Sequence, residues 1–435
     1  MHEIITLQFG ESANYVGTHY WNMQQQKLDD PGLSTDVLFR ETTAPRGPAQ
    51  RTPRLLAFDT ASNFGLLAIG DEDGNEDETR QIAMQWEGQT ETHRAQQPNT
   101  SEFQRDHSVE IEPRDIRFWS DFGEVRYSSH SLHPVSGIAH GNSLGEMNTF
   151  HEGLDVIDGE DRADDVMDGD FRRVAEDCDC LQGFQVMADM YGGFAGYGCG
   201  YLARIRDEYP KKSVLLYSIG NTTVEDMDRG RGMDAAVSLA ANLENVSMYV
   251  PVSVPSGLAK LFPGVQIQGD SFYHSSALMA MGLDVWGTGL LAGRRVLDEI
   301  VSQVTQQEHF KLADLMLAPG LCTESTDLGQ ILNKDFVAFS GSEIRDSKQL
   351  SGHLVIGNGI DIDMAGPSFV PVDSPVRLSR SFPKIFRGID VHGRRMAVST
   401  LGELTSKAEQ LRSTHLEWTW LLWGGRSNYL QTRSG

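Results

Sequence analysis

The sequence predicts an α/β fold, a parallel sheet with helices on both faces, followed by a smaller mixed α/β second domain. Short apolar runs at Ile4 to Phe9, Leu55 to Phe58 and Ser213 to Ile219 each stop at a Gly or an Asp, the profile of strands buried on both sides that enter loops. Segments of helical period lie between such runs, so strands and helices alternate.

In chain order, Ile4-Ile5-Thr6-Leu7-Gln8-Phe9 reads as the first strand, ending at Gly10, and a helical pattern begins near Asn14 with Val16, Tyr20 and Met23 on one face. Residues 41–53 are turn-rich and polar, and Leu55-Leu56-Ala57-Phe58 is a second strand ending at Asp59. Residues 66–70 read as a further strand and Asp71 to Glu78 as a solvated acidic loop. Residues 88–108 have almost no apolar periodicity and read as an inserted flexible loop. The acidic run Asp155 to Asp170 precedes a helix expected near 171–190, a Gly-rich turn at 191–200, a helix at 201–208 and a strand at 213–219. Residues 233–247 and 274–315 carry helical period, and Gly352 to Gly357 is strand-like. The domain division falls at residues 1–230 and 231–435, the second part holding a central helix and the smaller α/β domain.

Composition narrows the function. A chain of 435 residues exceeds the usual single domain. Its 61 Asp plus Glu against 37 Lys plus Arg, a net charge of −24, repel phosphate backbones and anionic lipid surfaces, so no nucleic-acid contact is expected. The acid serves solubility or docks a basic partner. Four cysteines, Cys178, Cys180, Cys199 and Cys322, are too few for a disulfide framework and read as buried thiols in a reducing compartment. His130, His133 and His140 share a Ser/Gly/Pro loop without a paired Cys or acid and read as solvent-exposed, so no metal site is expected. No run of ~18 apolar residues occurs, so no membrane span is expected. The N-terminus carries neither secretion nor matrix-import features. Trp418, Trp420 and Trp423 read as a core-packing terminal segment or an altered chain end, with a partner-docking patch as the alternative.

Motifs then point to a family. Cys178 to Gln185 and Arg204 to Pro210 flank a Gly-rich loop in the order in which similar segments flank the tubulin phosphate loop. Glu3 to Gly10 with Asn14, Gly17 and Trp21 is similar to the tubulin first strand, nucleotide loop and first helix, and Thr52 to Asp59 to the strand before its second nucleotide loop. The chain resembles most the Misato-like family, tubulin- and FtsZ-related. The shared stretches are Phe118 to Asp121, His133-Pro134, Glu176 to Asp179, Gly192 to Phe194 and Ser381 to Phe386.

The resemblance implies a nucleotide site built from Gly10, Glu11, Asn14, Asp59, Gly192, Gly193 and Gly196, with GTP as its cofactor where it works at all. Phosphate binding needs converging backbone N–H groups with glycine to let them approach. Here Tyr191, Phe194, Ala195 and Tyr197 stand among the glycines, Glu11 places a carboxylate where phosphates would sit, and Ala61 replaces a magnesium-side acid. No Asn-x-Asp motif that would complete hydrolysis follows Gly220. Loss of GTPase activity is therefore the expectation, with no catalytic residue assigned. The loop reads first as scaffolding, with nucleotide binding without turnover, or a working polymerising or switching GTPase, as alternatives. The resemblance further implies a role in distributing mitochondria and mitochondrial DNA at the cytosolic side of the organelle and in the cytoplasm. It implies protein partners such as the cytosolic chaperonin or tubulin, and a part in tubulin folding or microtubule assembly.

Overall fold

A computed structural model of the protein describes residues 2–42, 50–65, 67, 111–135, 147–159, 161–222, 226–253, 267–268, 271–291, 296–305, 311–318, 337–338, 353–356, 377–386 and 419–424. The expectations for the strand at 66–70, the acidic loop at 71–78, the insertion at 88–108, His140, Cys322 and Trp418 lie outside these residues, apart from Leu67.

The first part runs β1 (Ile4–Phe9), α1 (Glu11–Gln25), β2 (Phe39–Thr42), β3 (Gln50–Pro53), β4 (Leu55–Thr60) and β5 (Leu132–Val135). It continues through α2 (Phe150–Gly159), α3 (Asp161–Val166), a π-turn (Met167–Phe171), α4 (Arg172–Glu176), β6 (Gly183–Asp189), α5 (Gly193–Glu208), β7 (Ser213–Ile219), α6 (Arg229–Asn245) and β8 (Met248–Val252). Six strands make one parallel sheet in the order β5-β4-β1-β6-β7-β8.

Strand periodicity divides two cores between the faces of this sheet. Ile5, Leu7, Phe9, Leu56, Phe58, Phe184 and Val186 face the layer of α2, α3 and α5. Ile4, Leu55, Ala57, Met187, Leu215 and Tyr217 face the layer of α1 and the later helices. Each such side chain contributes about 1.5–3 kcal/mol on full burial, which outweighs any single polar contact in the sheet.

The chain continues with α7 (Phe272–Leu291), α8 (Leu297–Val304), β9 (Ala313–Ala318), β10 (Val337–Ala338), β11 (His353–Ile356) and β12 (Thr419–Gly424). The last four strands form an antiparallel sheet in the order β10-β9-β12-β11. Tyr249 N donates to Lys311 O at 2.7 Å, tying the edge strand β8 to the approach of β9. Helix α7 packs on α1, where Lys27 Nζ and Gln24 Nε2 both donate to Asp284 Oδ1, at 2.7 and 2.8 Å. Lys27 and Asp284 are both buried, so the pair fixes register at a desolvation cost.

Several sequence expectations are corrected. The helix placed at 171–190 ends at Glu176, and Gly183–Asp189 is instead the strand beside β1. A strand with both faces covered shows no alternation to betray it. The acidic run is helical over 155–159 and 161–170, with Asp155, Asp158, Asp164, Asp165 and Asp168 exposed while Ile157, Ala163, Val166 and Met167 pack inward. The Gly-rich turn and the helix at 201–208 are one helix from Gly193. Its glycines serve close packing: a Cβ on Gly196 would lie 1.9 Å from Phe150 O, and one on Gly200 2.5 Å from Ile157 Cγ2. The helix at 233–247 starts at Arg229, capped by the Asp228 side chain accepting from Arg231 N. The helix at 274–315 is two helices and the start of β9. The parallel sheet reaches Val252, past the division drawn at 230. Cys180 is exposed and Cys178 half-buried, unlike the buried Cys199. His133 is buried, stacked on Phe58 at 4.9 Å, rather than solvent-exposed.

Candidate functional site at the strand ends

The carboxyl ends of β1, β4 and β6 converge, the place where open parallel sheets bind ligands. Gly10 follows β1 with φ +95°, a conformation that L side chains rarely adopt, and so allows the sharp turn into α1. Its N–H donates to Phe58 O at 3.0 Å. One turn on, the Asn14 Nδ2 group donates to Phe58 O and to Asp59 Oδ2, both at 3.1 Å. The buried Asn14 amide oxygen has no hydrogen-bond partner among the described residues.

Asp59, at the end of β4, is fully buried and surrounded by donors. Oδ2 accepts from Asn14 Nδ2 and, at 3.0 Å, from Trp119 Nε1; Oδ1 accepts from Thr60 N at 2.8 Å and Asn63 Nδ2 at 2.9 Å. Desolvation nevertheless pushes its carboxyl up to about 6, against the lowering effect of those bonds. Partial burial also raises the Glu11 carboxyl, which opens α1.

The glycine turn is closed in the same way. Gly192, at φ +80°, donates its N–H to Asp234 Oδ2 at 3.1 Å, and Gly193 N donates to Met147 O at 2.8 Å. Gly196 lies inside α5 against α2, away from any free loop. Tyr191 hydrogen-bonds Asn221 through its hydroxyl and carries Arg231 over its ring at 5.4 Å. Phe194 packs against Gly10 closely enough that a Cβ there would lie 2.8 Å from the Phe194 Cβ.

All seven sequence-predicted site residues are thus placed in this region, Gly10, Glu11, Asn14 and Asp59 around the first two loops and Gly192, Gly193 and Gly196 along the third. The residues do not fit a phosphate chain as they stand: the Gly192 and Gly193 N–H groups are engaged, and Phe194 lies against the Gly10 turn. Sequence reasoning missed Asp189, Trp119 and Asp234. Asp189 ends β6 much as Asp59 lies at the end of β4, but the sequence reads 171–190 as a helix, so this strand-end acid has no signal there. Its Oδ1 accepts from Ala13 N at 2.8 Å.

Beside these loops a cavity of about 560 Å³ opens between α1, the 113–116 segment and the start of α7. Tyr15, one turn beyond Glu11, forms one wall, with Arg114, Ile116, Gln268, Phe272 and Tyr273 around it. Among the described residues, no group of His, Cys, Asp and Glu is placed to hold a metal ion, and no helix is long and apolar enough to cross a membrane.

Comparison with known proteins agrees with the α/β fold. Residues 2–108 match the family model described as a Misato Segment II tubulin-like domain, and residues 108–288 match one described as a tubulin domain. Protein DML1 of Phaeosphaeria nodorum is 29% identical, the match covering 65% of this chain and 58% of that one. Protein dml-1 of Neurospora crassa is 28% identical over 65% of this chain and 55% of its own. Protein misato homolog 1 of Danio rerio is 25% identical over 65% and 57%. The chain therefore spans less than two thirds of the length of these relatives.

Proposed function

We propose, for a chain that belongs to the Misato-like family of tubulin-related proteins, the role of a non-catalytic scaffold that binds protein partners. Its α/β fold is tubulin-like. The observation that carries the reading is the closed glycine turn, in which Gly192 and Gly193 give their N–H groups to Asp234 and Met147. A phosphate cradle works through donors left free to converge on an anion. Asp59, held by four donors, supports the same reading, since a carboxylate so enclosed serves to join β4, α1 and the 119–122 turn.

Within that role, the family suggests work in distributing mitochondria and mitochondrial DNA, with the chaperonin or tubulin as partners, from the cytosolic side of the organelle. Depletion followed by counts of mitochondrial DNA per cell tests that part, and an unchanged count would remove it.

A second reading, a GTP-dependent switch or polymer, is favoured by the aromatic-walled cavity beside Tyr15 and by the orphaned Asn14 oxygen. Calorimetric titration with GTP and magnesium, paired with light scattering, separates the two. The scaffold reading expects no saturable heat at ~1 mM nucleotide, a ceiling affinity near −4 kcal/mol, and no GTP-dependent scattering. Saturable binding with assembly would replace it by the switch.

A further inference from the structure

Helix α1 begins at Gly10 without a side-chain cap from its own N-cap residue. The first N–H groups of a helix have no partner within it, and together with the helix dipole they favour an anion. In this chain a carboxyl group from a neighbouring strand is already there. Asp189, at the end of β6, accepts from Ala13 N at 2.8 Å through Oδ1, and Ser12 N–H also donates to it. Its other oxygen lies against the turn: a Cβ on Gly10 would sit 2.4 Å from Asp189 Oδ2. We propose that the Asp189 carboxyl group is the resident acceptor of this cleft, an intramolecular replacement for a ligand phosphate that keeps phosphorylated ligands out of the helix α1 N-terminus.

The inference rests on the scaffold reading and gives the exclusion a residue. A phosphate arriving at α1 would find the Ser12 and Ala13 donors engaged and their volume filled. It would also meet Glu11 and Asp59, whose charges, after the dominant effect of burial, raise the Asp189 carboxyl well above its ordinary range. A carboxyl raised in this way favours its protonated form, so the exclusion rests on the engaged donors and the filled volume. Removal of Asp189 turns the same geometry round: two helix-end donors and a glycine turn are left open to an anion.

The test is titration calorimetry of the full chain with inorganic pyrophosphate, and separately with GTP and magnesium, for wild type, Asp189→Ser and Asp189→Asn. The serine variant uncovers the donors, whereas the asparagine variant keeps the volume and an acceptor. The expected result is a gain of about tenfold or more in pyrophosphate affinity for Asp189→Ser alone, roughly 1.4 kcal/mol. A folded Asp189→Ser that binds no better than a silent wild type overturns the inference and leaves the scaffold reading standing. GTP bound by wild type overturns the scaffold reading itself. Should the serine variant not fold, the amide shifts of Ser12 and Ala13 in wild type decide. Shifts unmoved through a pyrophosphate titration are expected, and a saturable movement overturns the proposal.

Discussion

Replacing Asp59 by Asn separates the enclosed carboxylate's two opposing effects. The amide keeps one acceptor oxygen and puts an NH2 in place of the other, so two of the four donors at Asn14, Thr60, Asn63 and Trp119 lose their acceptor. At about 1–3 kcal/mol for each orphaned buried donor, the variant loses about 2–6 kcal/mol. That cost does not depend on pH.

The charge effect does. Burial raises the Asp59 carboxyl from an ordinary 3.8 to about 6, which at ~1.4 kcal/mol per pH unit amounts to about 3 kcal/mol. A raised carboxyl means that the folded state binds the proton more tightly than the unfolded. This contribution to stability is fully present below the unfolded value and is lost as pH rises through the folded one. Asn carries no such term. Urea unfolding of both proteins from pH 4 to 7.5 should therefore show Asp59→Asn less stable at pH 4, with the gap narrowing by up to about 3 kcal/mol as pH rises. A gap that widens with pH would mean that the ionised carboxylate is stabilised by its donors, and would refute the reasoning.

Gly196→Ala should lower stability by about 2 kcal/mol or more, because the new Cβ meets the Phe150 carbonyl at 1.9 Å, where backbone must move; thermal melting reads it, and an unchanged midpoint would contradict the close packing of α2 on α5. Lys27→Met leaves the buried Asp284 without its lysine charge and should cost about 3–5 kcal/mol, whereas Lys27→Met with Asp284→Leu should recover most of it; equal losses in single and double variants would contradict a desolvated pair.

The sheet was largely legible because its strands are apolar runs punctuated by Gly or Asp, as at Phe9-Gly10 and Phe58-Asp59. Strand β6 was not: Gln185, Met187 and Ala188 suit either a helix or a covered strand, and only pairing with β1 decides. Glycines at 193, 196, 198 and 200 suggest a loop on propensity alone. They form a helix that other parts of the chain approach closely, the Phe150 carbonyl of α2 at Gly196, the Ile157 side chain at Gly200 and Phe9 of β1 at Gly198, a tertiary fact that no local window contains. The site was legible in its residue names and not in its connections. Asp59 was singled out, yet its bond to Trp119 spans sixty positions of sequence, and the bond from Ala13 to Asp189 spans 176.

Helix α1 is held at both ends by other parts of the chain: Asp189 grips its first turn, and Lys27, just past its last, is bound to Asp284 on α7. Between them Gly17 sits directly on Gln8 of β1. A ratchet of one turn, ~5.4 Å along the axis, would have to break both moorings at once. The helix thus behaves as a strut with no slack, fixing the distance between the loop at the end of β6 and helix α7.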